Sequence, residues 1–145
     1  CFKGCIECTE PRSTIALWRD ARIVDKRIKS PTFETALARA KELRAQGADM
    51  IVAVAHAKRE IDLMLYESGV FDIILSGDDH DLALLYNGRT ILAESMTEAN
   101  YVTAIDVTVD VAEKDGKRRV AWWPGFRVID TATVTPDAET QARID

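Results

Sequence analysis

Long apolar runs are missing from the 145 residues, and no segment approaches the roughly 20 that a membrane-crossing helix requires. A basic stripe is missing too. The formal net charge is −5, with both signs interspersed along the chain, which argues against nucleic acid as the main partner. Histidine occurs twice, and all three cysteines fall within the first eight residues. Internal repeats and low-complexity stretches are absent. The sequence opens on Cys1 without an initiator Met or a signal peptide, and is therefore expected to be a fragment or a processed product that has shed its targeting information. What is present suffices for a single globular domain over 1–145. Hydrophobic residues make up 47% of it, and chains of this length bury about 68–70% of their unfolded surface.

Cys1, Cys5 and Cys8 in "CFKGCIEC" have the C-x3-C-x2-C spacing that holds an iron–sulfur cluster in radical-SAM enzymes. The match covers eight residues, Glu7 stands where such motifs carry an aromatic, and the motif opens the chain instead of following a first barrel strand. A short strand with small thiols facing the core is the plainer expectation, since free cysteine packs like a small hydrophobe.

Residues 9–30 are charged, with apolar anchors at Ile15, Leu17, Trp18 and Ile23. They are expected to form an irregular surface excursion, so that 1–32 is a lead-in to the core. Ser30-Pro31 then reads as a helix cap followed by proline in the first turn. Phe33, Ala36, Leu37, Ala40 and Leu43 recur at helical spacing up to Gly47. "MIVAVA", residues 50–55, suits a central parallel strand covered on both faces. A helix with Ile61, Met64, Leu65 and Ser68 on one face should end at Gly69, and "VFDIILS", residues 70–76, supplies the next buried strand. Strand–helix–strand in about 30 residues is a βαβ unit with a parallel pair. After residue 81 the pattern becomes antiparallel. Asn87-Gly88 is a hairpin signal, and residues 101–111 alternate apolar and polar. Asp115-Gly116 turns the chain into a last strand interrupted at Pro124-Gly125, and Thr135 caps the start of a helix. Trp122 and Trp123 are consecutive, so a strand would point them to opposite faces and deny them a common stacking groove. The fold class is α/β, with βαβ units followed by antiparallel hairpin strands.

The two histidines fall where open α/β sheets bind ligands, beyond the carboxyl ends of strands. His56 ends one buried strand, and His80 follows the next within "SGDDHD". Neighbouring strands lie about 4.8 Å apart, so the two exit loops should bring His56, His80 and the adjacent carboxylates to a common focus. Imidazole with carboxylate is a donor set for Zn²⁺, Mn²⁺ or Fe. The plainer alternative is a turn histidine beside a solvated acidic turn.

"GADMIVAVAHAK", "FDIILSGDDHD" and "GRTILAESMTEANYVTAIDVTVD" together resemble the carboxyl half of the calcineurin-like metallophosphatase domain of the 5′-nucleotidase family. The resemblance covers roughly residues 33–112, with an edge strand and the start of a helix following over 113–145. It implies a four-layer α/β/β/α sandwich with two divalent metal ions (Mn, Zn, Fe or Mg) on the strand-exit loops. In that family a strand ends in a histidine, which His56 matches as a ligand of the second metal. A Gly-His-x-His motif follows, in which His80 matches the second histidine and would hold the first metal. Asp78 replaces the other histidine and would fall on the second metal, making the site harder and more anionic. Asp79 and Asp81 are candidates to orient those ligands from behind.

Two departures accompany the resemblance. Met96, Glu98 and Asn100 lie in a loop where family members carry glycines, and should reshape the approach of substrate. The Asp-x-His, bridging Asp and Asn-His that complete the family's site are not found in residues 1–50. The expectation is therefore a metal-dependent phosphoester hydrolase of the 5′-nucleotidase type represented by its carboxyl-side portion, inactive in isolation. Its partners would be a small phosphorylated substrate, with a nucleotide as one candidate, and the amino-terminal half of the domain. A periplasmic or secreted location follows from the resemblance alone. The alternatives are a non-catalytic interaction or weak metal-binding module on the same fold, or a sulfate-ester or thiosulfate-releasing hydrolase.

Overall fold

The computed structural model describes residues 33–144 and, before them, the backbone of two strands, β1 (Ser13–Arg19) and β2 (Arg22–Ile28). The expected strand over 1–8 and the Ser30-Pro31 cap lie outside the described residues. The chain divides into two compact units, residues 1–96 and 97–145.

In the first unit, α1 (Phe33–Ala45) is followed by β3 (Met50–Val54), α2 (Arg59–Ser68), β4 (Ile73–Leu75), β5 (Leu82–Tyr86) and β6 (Ile91–Ser95). Together with β1 and β2 these strands form one sheet in the order β2-β1-β3-β4-β6-β5. The βαβ unit is present: β3 pairs with β4 in parallel, with Ala53 opposite Ile74, and β4 pairs in parallel with β6. The mixed α/β class is thus observed.

The expected irregular lead-in is corrected. β1 and β2 pair antiparallel, with Arg19 opposite Arg22, and β1 also pairs with β3. Charge in this segment suggested surface coil, but β2 is the edge of the sheet, where charged residues are ordinary protection against strand addition. β3 consequently has one antiparallel and one parallel neighbour, instead of lying in a purely parallel sheet.

Helices α1 and α2 pack on one sheet face, burying Ala36, Ala40, Leu43 and Leu65 against Ile51, Ala53, Ile74 and Leu92. The opposite face is buried at Ile73, Ile91 and Ala93, but Val54 and Leu75 are 43% and 39% exposed. Cover on both faces is therefore incomplete at these two strand ends. Gly47 and Gly69 end the helices with φ of 93° and 61°, backbone that glycine adopts without the Cβ penalty. The expected apolar face of α2 is shifted: Asp62 is buried beside Leu65, whereas Met64 is exposed. Asp72, just before β4, accepts the Ile51 N–H at 2.6 Å and the Arg44 guanidinium at 2.5 Å, tying the end of α1 to two strands. The Asn87 side chain accepts the N–H groups of Arg89 and Thr90 at 3.0 and 2.8 Å and closes the β5–β6 hairpin.

The second unit is a ribbon of β7 (Tyr101–Lys114) and β8 (Lys117–Asp130), followed by a short α3 (Ala138–Gln141). Asp115 and Gly116, with φ of 54° and 68°, make the two-residue turn. The expected break at Pro124-Gly125 does not occur, since Pro124 stands opposite Val107 within β8. A two-stranded ribbon has no central strand, so a residue without N–H is tolerated there. Trp122 is half-buried and Trp123 is 52% exposed, on opposite faces as the pleat requires. The cap of α3 is Asp137, which accepts the Thr140 N–H at 2.8 Å, and not Thr135.

Candidate functional site

Beyond β3 and β4 the chain continues in register for a few residues before diverging. The Ala55 N–H donates to the Leu75 carbonyl at 2.8 Å, and the Ala57 N–H to the Gly77 carbonyl at 3.2 Å. This carries the parallel pairing past the formal strand ends and sets the loop 55–58 beside the loop 76–81. Gly77 lies against the His56 ring, since a Cβ there would stand 3.8 Å from Nδ1. Asp78 and His80 both hold positive φ, 123° and 61°. For non-glycine residues these are costly conformations that persist where the surrounding contacts impose them.

Two short motifs then meet, His56-Ala57-Lys58-Arg59 and Asp78-Asp79-His80-Asp81. His56 Nε2 lies 3.3 Å from Asp78 Oδ1, and Lys58 Nζ lies 2.8 Å from Asp78 Oδ2. Lys58 also reaches Asp79 Oδ1 at 3.3 Å. The hydrogen bond from Lys58 holds the Asp78 carboxyl below the usual carboxylate range, with the charges of Lys58, His56 and His80 adding to the effect. The same bond raises the Lys58 ammonium above its ordinary value, with Asp79 contributing. The other oxygen of Asp79 accepts the backbone N–H of Arg59, the first residue of α2. Lys58, at the cap position, offers that helix no side-chain acceptor. A carboxylate from the neighbouring loop therefore meets one of the helix's orphan donors. Asp81 pairs with the Arg59 guanidinium, which also lies 3.6 Å from Glu94 Oε2. Glu94, buried at the end of β6, accepts the His80 N–H at 2.9 Å and so fixes the backbone of that loop.

Beneath these loops sits Asp62, 3% exposed, with Oδ2 accepting the Ser76 hydroxyl and Oδ1 without a hydrogen-bond partner. Burial pushes its carboxyl up to about 6, and the charges of Glu94 and Asp79 add to the rise. The Ser76 hydrogen bond and the Arg59 charge oppose it.

Of the expected ligands, His56 and Asp78 are brought together by their side chains, and His80 lies in the same loop with its N–H held by Glu94. Asp79 and Asp81 are engaged by Arg59 and Lys58. Met96 donates its N–H to the Asp81 carbonyl at 2.9 Å. Met96, Glu98 and Ala99 all hold positive φ. The Asn100 N–H donates to the Thr97 carbonyl at 3.0 Å.

Lys58, Arg59, Glu94 and Asp62 were not anticipated. Signals for three of them were present: two cations beginning two residues after His56, and an acid within the apolar run "ILAES".

The fit to a metal ion is partial. Two donors each about 2.0–2.1 Å from a tetrahedral ion stand about 3.3–3.4 Å apart, which is the separation of His56 Nε2 and Asp78 Oδ1. Nitrogen with carboxylate oxygen is a suitable donor pair for Zn²⁺ or Mn²⁺. Among the described residues, however, no group of three His, Cys, Asp or Glu side chains is placed to hold one ion. A third donor would be needed beside these two residues to complete a coordination shell.

No protein-family model, curated protein or solved structure matches the chain.

Proposed function

We propose that this chain supplies the carboxyl-side ligands of a metal-dependent phosphoester hydrolase of the 5′-nucleotidase type. The observation that carries the reading is the 3.3 Å approach of His56 Nε2 to Asp78 Oδ1 across the exits of two parallel strands. This is the position at which α/β sheets bind ligands. The costly backbone of Asp78 and His80 supports it, because such conformations gather at functional sites.

In this reading His56 and Asp78 hold one edge of a divalent ion, and His80 serves its neighbour. The depressed carboxyl of Asp78 keeps it ionised and ready to ligate throughout the neutral range. Glu94 fixes the His80 backbone, while Asp79 and Asp81 anchor the loop to α2. When bound, the ions supply a hydroxide at neutral pH and neutralise charge on the phosphoryl oxygens. The remaining ligands come from the amino-terminal half of such a domain, the substrate is a small phosphate ester, and the location is periplasmic or extracellular.

A second reading, a non-catalytic module, is favoured by one observation. Lys58 already neutralises Asp78 at 2.8 Å, as in a purely structural clasp between the two loops.

Mn²⁺ titration followed by electron paramagnetic resonance separates the two. Binding should be measurable in the unaltered chain and weaken about tenfold or more in both His56→Asn and Asp78→Asn. Equal affinity in all three proteins would sink the metal reading. The 145-residue chain should leave a generic phosphate ester intact in Mn²⁺, and turnover would refute the requirement for further ligands.

A further inference from the structure

We infer that β5, at the edge of the six-stranded sheet, pairs antiparallel with β5 of a second copy of this chain and joins the two sheets across a two-fold axis. The inference is independent of the metal reading. β5 closes one end of the sheet, and among the described residues no strand pairs with its outer side. Its hydrogen bonding shows which groups point outward. The Met96 N–H donates to the Asp81 carbonyl at 2.9 Å, and the Asn87 N–H to the Thr90 carbonyl at 3.4 Å. Antiparallel neighbours alternate between bonded and non-bonded pairs, so the odd positions, Ala83 and Leu85, bond to β6. Leu82 and Leu84 therefore turn their N–H and C=O groups away from the sheet.

A second copy is the occupant that this edge and the charge pattern favour. The other sheet edge, β2, carries Arg22, Asp25, Lys26 and Arg27, and charge of this kind deters strand addition. Leu82–Tyr86 holds no charge, and Leu82 and Leu85 are 45% and 39% exposed. Joining β5 to β2 would also repeat head to tail without closing, whereas β5 on β5 closes as a dimer. The register follows from the two faces of the sheet. A two-fold axis normal to the sheet keeps both helix layers on one side, and a slip of one residue would break that match. Centred on Leu84, the pairing sets Leu84 against its own copy in a bonded pair, and Leu82 against the partner subunit's Tyr86. Asp81 then meets the partner subunit's Asn87, so no like charges oppose each other. On the face away from the helices, Leu84, Ala93, Leu75 and Val54 form one cross-strand row. The dimer continues that apolar row from one copy into the next.

Sedimentation equilibrium of the 145-residue chain, with reductant present to exclude links through the cysteines, should show a dimer half-dissociated at about 10–100 μM. Leu84→Lys places two ammonium groups opposite each other and should weaken association at least about tenfold. Leu84→Val keeps an apolar strand former there and should stay within about threefold of the unaltered chain. On the unaltered protein, amide exchange at Leu82 and Leu84 should slow at least about threefold as concentration rises through this range, while Ala83 and Leu85 stay unchanged. A monomer at every concentration, a dimer indifferent to Leu84→Lys, or protection not confined to the outward amides would overturn the proposal. Should Leu84→Lys fail to fold by circular dichroism, the exchange pattern of the unaltered protein decides.

Discussion

Residues 1–96 and residues 97–145 solve the problem of a β-sheet by different means. In the first unit two helices seal one sheet face, and Ala40, Ile51 and Ile74 lose all solvent exposure. In the second, the two longest strands among the described residues pair through fourteen residues each, yet none of their side chains is fully buried. The ribbon has the longer hydrogen-bonded ladder and the first unit has the packed interior. Strand length is thus a poor guide to where stability resides. Side chains withdrawn from water dominate folding, whereas ladder bonds largely exchange for bonds to water.

The sharpest way to break this comparison is truncation. Phe71→Ala, at a fully buried core position, should cost about 3–5 kcal/mol, while Val109→Ala on the half-open ribbon should cost well under about 1 kcal/mol. Denaturant titration of both variants decides it, and equal losses would mean that the ribbon carries a core of its own.

A smaller effect distinguishes the units by pH. The Asp62 carboxyl titrates near about 6 in the folded chain against 3.8 ordinarily, so the folded state holds this proton more tightly than the unfolded state. Its contribution is most favourable below about pH 4, falls as pH rises toward about 6, and is level above, a loss on the order of 2–3 kcal/mol. Asp62→Asn should remove that slope and stabilise the chain at neutral pH. Amide exchange in β3 and β4 should follow the change, and amides in β7 and β8 should not.

Weakest is the turn of the ribbon. Gly116 holds φ of 68°, so Gly116→Ala should cost about 1 kcal/mol. The loss should show as faster exchange of β7–β8 amides with β3 and β4 unchanged.

What was legible in the sequence follows the same division. β3 announced itself as an unbroken apolar run and β4 as a largely apolar one, and α1 and α2 as apolar positions at helical spacing ended by Gly47 and Gly69. The pairing of β1 with β2 was hidden because charge on an edge strand looks locally like coil. Pro124 reads as a breaker only if the strand is assumed to have neighbours on both sides. At the candidate site, the meeting of His56 and Asp78 was foreseeable from two adjacent strand exits. The partners of the acids were not, because Lys58 and Arg59 read locally as the charged start of a helix, and pairing across twenty residues leaves no periodic trace. Asp62 was hidden for a related reason: an acid on an amphipathic helix is ordinarily assigned to the wet side.

The Asp79 carboxylate belongs to one loop and completes the first turn of a helix that starts from another. Anything that draws this aspartate away strands a backbone donor at the head of α2. An event at the exits of β3 and β4 would therefore register along that helix as fraying, with the unpartnered oxygen of Asp62 one turn inward. The loop and the helix are coupled elements, and hydrogen exchange at Arg59 is where a visitor to these loops would first be noticed.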